Sequence, residues 1–210
     1  MRYPPINLGS MVVIQKKRSM RRYSNSNHIK KVNIRKKIIN KRKLFHKQNL
    51  NNGDFIAINL MKYIESQELP IKNYKIALYW PMGSEIDTKP SIASLSQFTN
   101  NILIASTENN QIKFRKWKPN ITIESNKLGV LLKTKEFVKP DIVICPLIAF
   151  DKFCNRLGRG GGYYDKKLYN MEKVIKIGFA YSIQEVKKVP TDNNDIKMNA
   201  IITEKYIYNY

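Results

Sequence analysis

Acidic residues are missing from the first quarter of the chain. Of the 38 Lys and Arg residues, 15 fall within residues 1–53, where there is no Asp or Glu. That leaves 23 basic against 16 acidic residues in the remainder, so most of the net charge of +22 belongs to the leader and what directly follows it. A basic block without acids suits a nucleic-acid arm, an organelle-targeting peptide or a solvated tail. It lacks the interleaved aromatics of a base-stacking surface, since Tyr23 and Phe45 stand nearly alone in it. Cysteine is scarce as well: Cys145 and Cys154 are the only two. They make neither a disulfide framework nor a zinc spacing, they fit a reducing compartment, and they read as structurally incidental. No apolar run approaches the length of a membrane span. No dinucleotide glycine fingerprint, P-loop lysine or internal repeat is present.

What remains is the composition of an ordinary domain. The 210 residues are 42% apolar, enough for one core of useful size. Residues 1–30 read as a basic, disordered extension, broken by Pro4, Pro5, Gly9 and a Ser/Asn run at 24–27. Residues 31–210 read as the folded domain. Val32, Ile34, Ile38, Ile39, Arg42 and Phe45 give an approximate helical repeat from Lys31 to about Asn49. Asp54 is expected to cap a second helix, Phe55–Ser66. Strands are expected at 75–80, 102–106, 112–117, 141–145 and 174–180, with a short last one at 200–203. A helix is expected at 88–98 and a turn at 126–129. Strands alternating with helices predict an α/β fold: a mostly parallel central sheet with helices on both faces, in a single domain.

The most informative segment is Arg156 to Asp165, RLGRGGGYYD. Gly160, Gly161 and Gly162 in a row disfavour helix and strand. They can present a concave run of backbone N–H groups, an anion-binding shape. Arg156 and Arg159 can grip phosphate through bidentate forks. YYDKKLYNM then reads as a helix whose positive end faces the same anion. Asp165, near that helix start, is placed to hold Mg²⁺ against phosphate oxygens. The loop follows an apolar run, Ile142–Phe150, so a strand is expected to lead into it, the setting in which open α/β sheets bind ligands. Together these features predict a nucleotide or polyphosphate site.

The same segment carries a family resemblance. Pro146–Leu168, PLIAFDKFCNRLGRGGGYYDKKL, resembles the signature of the 5-formyltetrahydrofolate cyclo-ligases, also called methenyltetrahydrofolate synthetases. Three further stretches agree in order: Lys31–Arg35 with the following KKIINKRKL, Tyr79–Pro90 (YWPMGSEIDTKP), and Val189–Glu204 (VPTDNNDIKMNAIITE). The resemblance implies an ATP-driven ring closure. The formyl oxygen of 5-formyltetrahydrofolate attacks the γ-phosphate, nitrogen 10 attacks the phosphorylated imine, and phosphate leaves. The products are 5,10-methenyltetrahydrofolate, ADP and phosphate. Such chemistry needs alignment and charge neutralisation more than a protein nucleophile.

The resemblance also implies roles. Arg156 and Arg159 would be catalytic, holding the triphosphate and stabilising the transferred group. Lys31, Arg35, Gly158, Gly160, Gly161, Gly162, Tyr163 and Tyr164 would contact ATP, either tyrosine alternatively touching folate. Glu85 would accept the pterin N–H groups, with Met82 and Trp117 stacking on the flat rings. Asp165 and Asp195 would hold Mg²⁺. Each has a plainer reading as solvated charge, turn residue or core. The chain departs from relatives in two places: Gly161 stands where many carry lysine, and Gly129-Val-Leu-Leu-Lys-Thr134 stands where a Gly-Ile-x-Glu-Pro-like turn is usual. The competing readings are a nucleic-acid-binding protein and a catalytically silent relative. The expected substrate is 5-formyltetrahydrofolate, possibly polyglutamylated, with no nucleic-acid or membrane partner. A cytoplasmic monomer is expected, with organellar targeting by the leader the alternative. His28 and His46 receive no role.

Overall fold

The computed structural model describes residues 8–126, 129–132, 134 and 137–210, with residues 8–25 and 126 described by backbone alone. The chain opens with helix α1 (Leu8–Gln48) and helix α2 (Asn52–Ser66), then strand β1 (Ile76–Leu78) and helix α3 (Lys89–Ser96). Strands β2 (Ile102–Glu108) and β3 (Gln111–Lys116) follow, then the small hairpin β4 (Ile123–Asn126) and β5 (Gly129–Leu132). Next come β6 (Ile142–Pro146), a second small hairpin of β7 (Ala149–Phe150) and β8 (Arg156–Leu157), and helix α4 (Tyr163–Leu168). The chain ends with β9 (Ile175–Phe179), a 3-10 turn at Ser182–Gln184, β10 (Ala200–Ile202) and β11 (Ile207–Asn209).

Seven strands form the main sheet in the order β11-β10-β9-β6-β1-β2-β3. The five inner strands pair parallel, and β3 and β11 close the edges antiparallel. The inner strands are apolar without alternation because both faces are covered. Ile76 and Leu78 of β1 pack in one cluster with Ile56 and Leu60 of α2 and Ile92 and Leu95 of α3. Ala77, between them, faces the opposite cluster with Cys145, Leu168 of α4 and Met171. Helices thus cover both faces, as predicted. A third cluster joins Ile38 of α1 to Ile148, Ala149, Leu157 and Val189.

Several boundaries differ from the sequence expectation. Helix α1 is continuous through the expected boundary at residue 30, with its backbone helical from Leu8. No glycine or proline occurs between Ser10 and Asn52, so the Ser/Asn run lowers helix propensity without blocking the helix. Residues 1–7 of the expected extension lie outside the described residues. Asp54 is not the cap of α2: it lies in the first turn, its N–H donating to the carbonyl of Asn51. Strand β6 does not lead straight into the glycine loop, because the β7–β8 hairpin intervenes. One more strand, β11, follows the expected last one. The turn expected at 126–129 closes the β4–β5 hairpin, residues 127–128 lying outside the described residues. Among the described residues no helix is long and apolar enough to cross a membrane.

The connections set the place of the site. From β1 the chain proceeds to β2 on one side, and from β6 to β9 on the other. The topological switch therefore lies between β1 and β6, and the crevice beyond their carboxyl ends is where such sheets hold ligands.

Candidate active site

The approach to the glycine loop is shaped by a buried carboxylate for which no ion-pair partner occurs among the described residues. Asp151 has no solvent exposure. It accepts the N–H of Phe153, the N–H and side-chain amide of Asn155, and the N–H of Val189 at 2.9 Å. These bonds fold residues 151–155 and tie them to the segment leading to Asp192. Arg156 starts β8 directly afterwards. Gly160 and Gly162 have φ of +111° and +66°, in the region that side chains other than glycine rarely adopt. Gly162 precedes α4, which is only six residues long.

Helix α1 supplies one stripe of polar groups, at 27, 31 and 35, that faces this loop and the chain beyond it. The Asn27 amide donates to the Thr191 carbonyl and to Asp192 Oδ1, at 3.2 and 3.1 Å. Lys31 Nζ bridges Asp192 and Asp195 at 2.6 and 2.5 Å. Burial pulls the Lys31 ammonium down, but its bonds to the two carboxylates outweigh this and hold its pKa above the ordinary value. The hydrogen bond from Lys31 likewise holds Asp192 below the usual range. Arg35 Nε donates to the Gly158 carbonyl at 2.8 Å, and its guanidinium lies against Gly160.

The facing wall comes from the turn after β1. Glu85 is buried, its side chain 7% exposed. One of its oxygens accepts the Met82 N–H at 3.0 Å and the other pairs with Arg159 at 2.8 Å. Arg159 is half-exposed and also reaches the Met82 sulfur. Behind the turn, buried Arg42 donates to Ser84 Oγ and to the Leu147 carbonyl.

These walls enclose a cavity of about 340 Å³ at the carboxyl ends of β1 and β6, where Tyr79, Trp80 and Pro146 line it. That volume is in the range of small-molecule sites. Nearly all the predicted residues meet there: Lys31, Arg35, Met82, Glu85, Arg156, Gly158, Arg159, Gly160, Gly161, Gly162, Tyr163, Tyr164, Asp165 and Asp195. Trp117 does not. It is partly buried against the core, with its N–H bonded to the Ile102 carbonyl, and Trp80 is the tryptophan in the cavity.

Two predicted residues differ in character from the expectation. Arg156 is not a free phosphate fork: its side chain is 3% exposed and bonded to Asp165 Oδ1 at 2.7 Å. Asp165 in turn spends that oxygen on Arg156 and on the Ile196 N–H, so it is partly committed within the protein. Sequence reading missed Asp151, Asp192, Asn27 and Arg42. Asp192 alone left a signal, standing three residues before Asp195 in the same matching stretch. His28, unassigned from sequence, lines the cavity, and His46 bonds the Tyr181 hydroxyl at 2.8 Å. Both cysteines are buried free thiols, and burial pushes Cys145 up to about 12, so it is unreactive.

The model of the 5-formyltetrahydrofolate cyclo-ligase family matches residues 27–204. The chain belongs to that family. The match begins at Asn27, the residue that ties α1 to Asp192. The cyclo-ligase of Haemophilus influenzae is 31% identical over 160 residues, covering 70% of this chain and 80% of the relative. That of Escherichia coli K12 is 26% identical over 181 residues, covering 81% and 97%. The solution structure of the Aquifex aeolicus 5,10-methenyltetrahydrofolate synthetase superposes with a TM-score of 0.69 at 28% identity, covering 85% of this chain and 92% of that one. The Mycoplasma pneumoniae synthetase, at 23% identity and a TM-score of 0.64, shares the fold. The family's reaction is the ring closure of 5-formyltetrahydrofolate, so the chain is an enzyme of that class.

Proposed function

We propose that this chain closes 5-formyltetrahydrofolate to 5,10-methenyltetrahydrofolate with ATP as phosphoryl donor, using the cavity between the glycine loop and the Glu85 turn. The observation that carries the reading is the convergence of two unlike walls at the sheet's switch point. One wall carries Lys31, Arg35 and Arg159 beside the glycine run; the other presents the buried Glu85 carboxylate. The first suits a triphosphate. The second suits the flat, N–H-bearing edge of a pterin, which a carboxylate matches as a double acceptor.

Lys31, Arg35 and Arg159 hold the phosphates in this reading, while Arg156 fixes Asp165 beneath them. The formyl oxygen forms a bond to the γ-phosphorus as the bond to the ADP oxygen breaks. Nitrogen 10 then attacks the formyl carbon, its proton departs, and phosphate leaves with the oxygen. Arg159 neutralises charge on the transferred group. Asp165, Asp192 and Asp195 all line the cavity. Among the described residues no three or more His, Cys, Asp or Glu converge to hold a metal unaided. That donor set suits Mg²⁺, which takes one or two carboxylates and leaves the rest to phosphates and water. Asp165 and Asp195 would hold Mg²⁺, which when bound would neutralise phosphate charge.

A second groove, of about 800 Å³, adjoins the cavity through Ile112 and Tyr163. Lys113, Lys139, Lys166 and Lys167 line it, which supports room for the carboxylates of a polyglutamyl tail. The reading takes the enzyme as a cytoplasmic monomer. The test is the ATP-dependent appearance of methenyltetrahydrofolate absorbance from 5-formyltetrahydrofolate, with and without Mg²⁺. Absorbance that fails to rise with ATP and Mg²⁺ present would sink the proposal.

A further inference from the structure

Arg159 and Glu85 belong to opposite walls of the cavity, yet they are bonded to each other across it. Both Glu85 oxygens are occupied within the protein, one by the Met82 N–H and one by the Arg159 guanidinium at 2.8 Å. A pterin N–H edge would compete with Arg159 for the Glu85 oxygen it holds, and a triphosphate would compete with Glu85 for Arg159. We propose that Arg159 is a latch, exchanged between Glu85 and the nucleotide phosphates, which makes nucleotide and folate bind cooperatively. This rests on the assignment of the two walls given above.

The two ends of the pair are unequally held, and this makes exchange feasible. Arg159 lies in the glycine loop with 48% of its side chain exposed, whereas Glu85 is 7% exposed and fixed by its turn. The arginine is therefore the moving part. Its departure does not strand the carboxylate, because buried Arg42 stands behind Glu85 and interacts with it electrostatically. Arg42 cannot follow, since Ser84 and the Leu147 carbonyl hold it. A ligand that binds alone must break the latch. The second ligand finds it already open. The coupling is positive, and by linkage it is equal in both directions.

The experiment is calorimetric titration of 5-formyltetrahydrofolate into the full chain, with and without adenylyl imidodiphosphate, a non-hydrolysable ATP analogue. Wild type should bind the folate about tenfold more tightly with the analogue present, and the analogue about tenfold more tightly with folate present, within the usual range for coupled sites. Arg159→Gln, at a half-exposed position, should keep the wild-type thermal midpoint. It should bind folate more tightly than wild type in the absence of nucleotide, and the analogue should no longer change that affinity. A folate affinity indifferent to the analogue in wild type, with both ligands binding, overturns the latch while leaving the proposed reaction standing. Coupling that persists in Arg159→Gln, or a variant that binds folate more weakly, overturns it as well. If wild type binds neither ligand and shows no turnover, the functional assignment itself fails.

Discussion

Arg156 Nη2 lies 2.7 Å from Asp165 Oδ1, and the same oxygen accepts the Ile196 N–H at 3.0 Å. One ion pair, with its arginine buried, thus ties the hairpin before the glycine loop, helix α4 after it, and the distant segment carrying Asp192 and Asp195. The two arginines of RLGR, alike in sequence, have become different parts. Arg156 is held inside the scaffold by Asp165, whereas Arg159 is half-exposed at the cavity and paired with Glu85.

That difference is measurable as stability. Removing Arg156 deprives the partly buried Asp165 carboxylate of its charged donor, a loss of about 1–3 kcal/mol. Arg156→Ala should lower the thermal midpoint by several degrees in scanning calorimetry. A midpoint equal to that of wild type would show that the pair is not structural.

Arg159→Ala should do the reverse, keeping the midpoint and losing turnover. The loss of one charge partner of the transferred phosphoryl group costs on the order of 10²–10³ in rate. Single-turnover kinetics on the folded variant reads this directly. Near-normal turnover would remove Arg159 from the reaction.

Much of this was legible from residue order alone. Continuous apolar runs such as Ile142–Phe150 announced a doubly covered sheet, and the glycine run announced a loop that lines the cavity, because both signals are local. What was hidden depends on contacts between distant segments. Nothing around Asp151 distinguishes it from a turn aspartate, yet its bond to the Val189 N–H spans 38 residues. Asn27 falls in a Ser/Asn run that reads as disordered extension, yet its amide meets Thr191 and Asp192, more than 160 positions away. Trp117 and Trp80 both end expected strands. Which one reaches the cavity depends on strand order: β1 is central and β3 is an edge.

Chelation and carboxylate removal test the metal. Excess EDTA should abolish turnover without lowering the thermal midpoint, since no described cluster of ligands depends on a metal for its fold. Asp195→Asn should raise the Mg²⁺ concentration for half-maximal rate on the order of tenfold, equivalent to about 1.4 kcal/mol. An unchanged Mg²⁺ titration would exclude Asp195 as a ligand.

Acid sensitivity has a local source away from the site. Glu108 takes a two-pronged bond from Arg115, at 2.6 and 2.8 Å, which clamps β2 to β3. Hydrogen bonding from Arg115, opposed by burial, lowers the Glu108 carboxyl from 4.5 to about 2. A depressed folded-state pKa stabilises above the unfolded value and is lost as pH falls through the folded one. Glu108→Gln should therefore cost on the order of 1–3 kcal/mol at neutral pH. The gap to wild type should close between pH 4.5 and about 2, as urea unfolding at several pH values would show. A gap that does not vary with pH would mean that packing, rather than charge, is what Glu108 contributes.

The final prediction concerns where the enzyme begins to need its first helix. Among the described residues, Asn27 is the first side chain tied to a distant segment, and the family match starts at the same residue. His28 lines the cavity one position later, and Lys31 follows on the same stripe as Asn27. Deleting residues 1–25 spares all three. Deleting residues 1–30 spares Lys31 but removes Asn27, and with it a donor that fixes Asp192 beside Lys31. The shorter truncation should keep the wild-type KM for ATP. The longer one should raise it about tenfold, equivalent to about 1.4 kcal/mol, because Asp192 and Lys31 are then less well fixed at the phosphate wall. Asn27→Ala in the full chain should reproduce part of that rise while leaving α1 intact. Equal KM values for both truncations would place the start of the working site at Lys31, as the sequence alone had suggested.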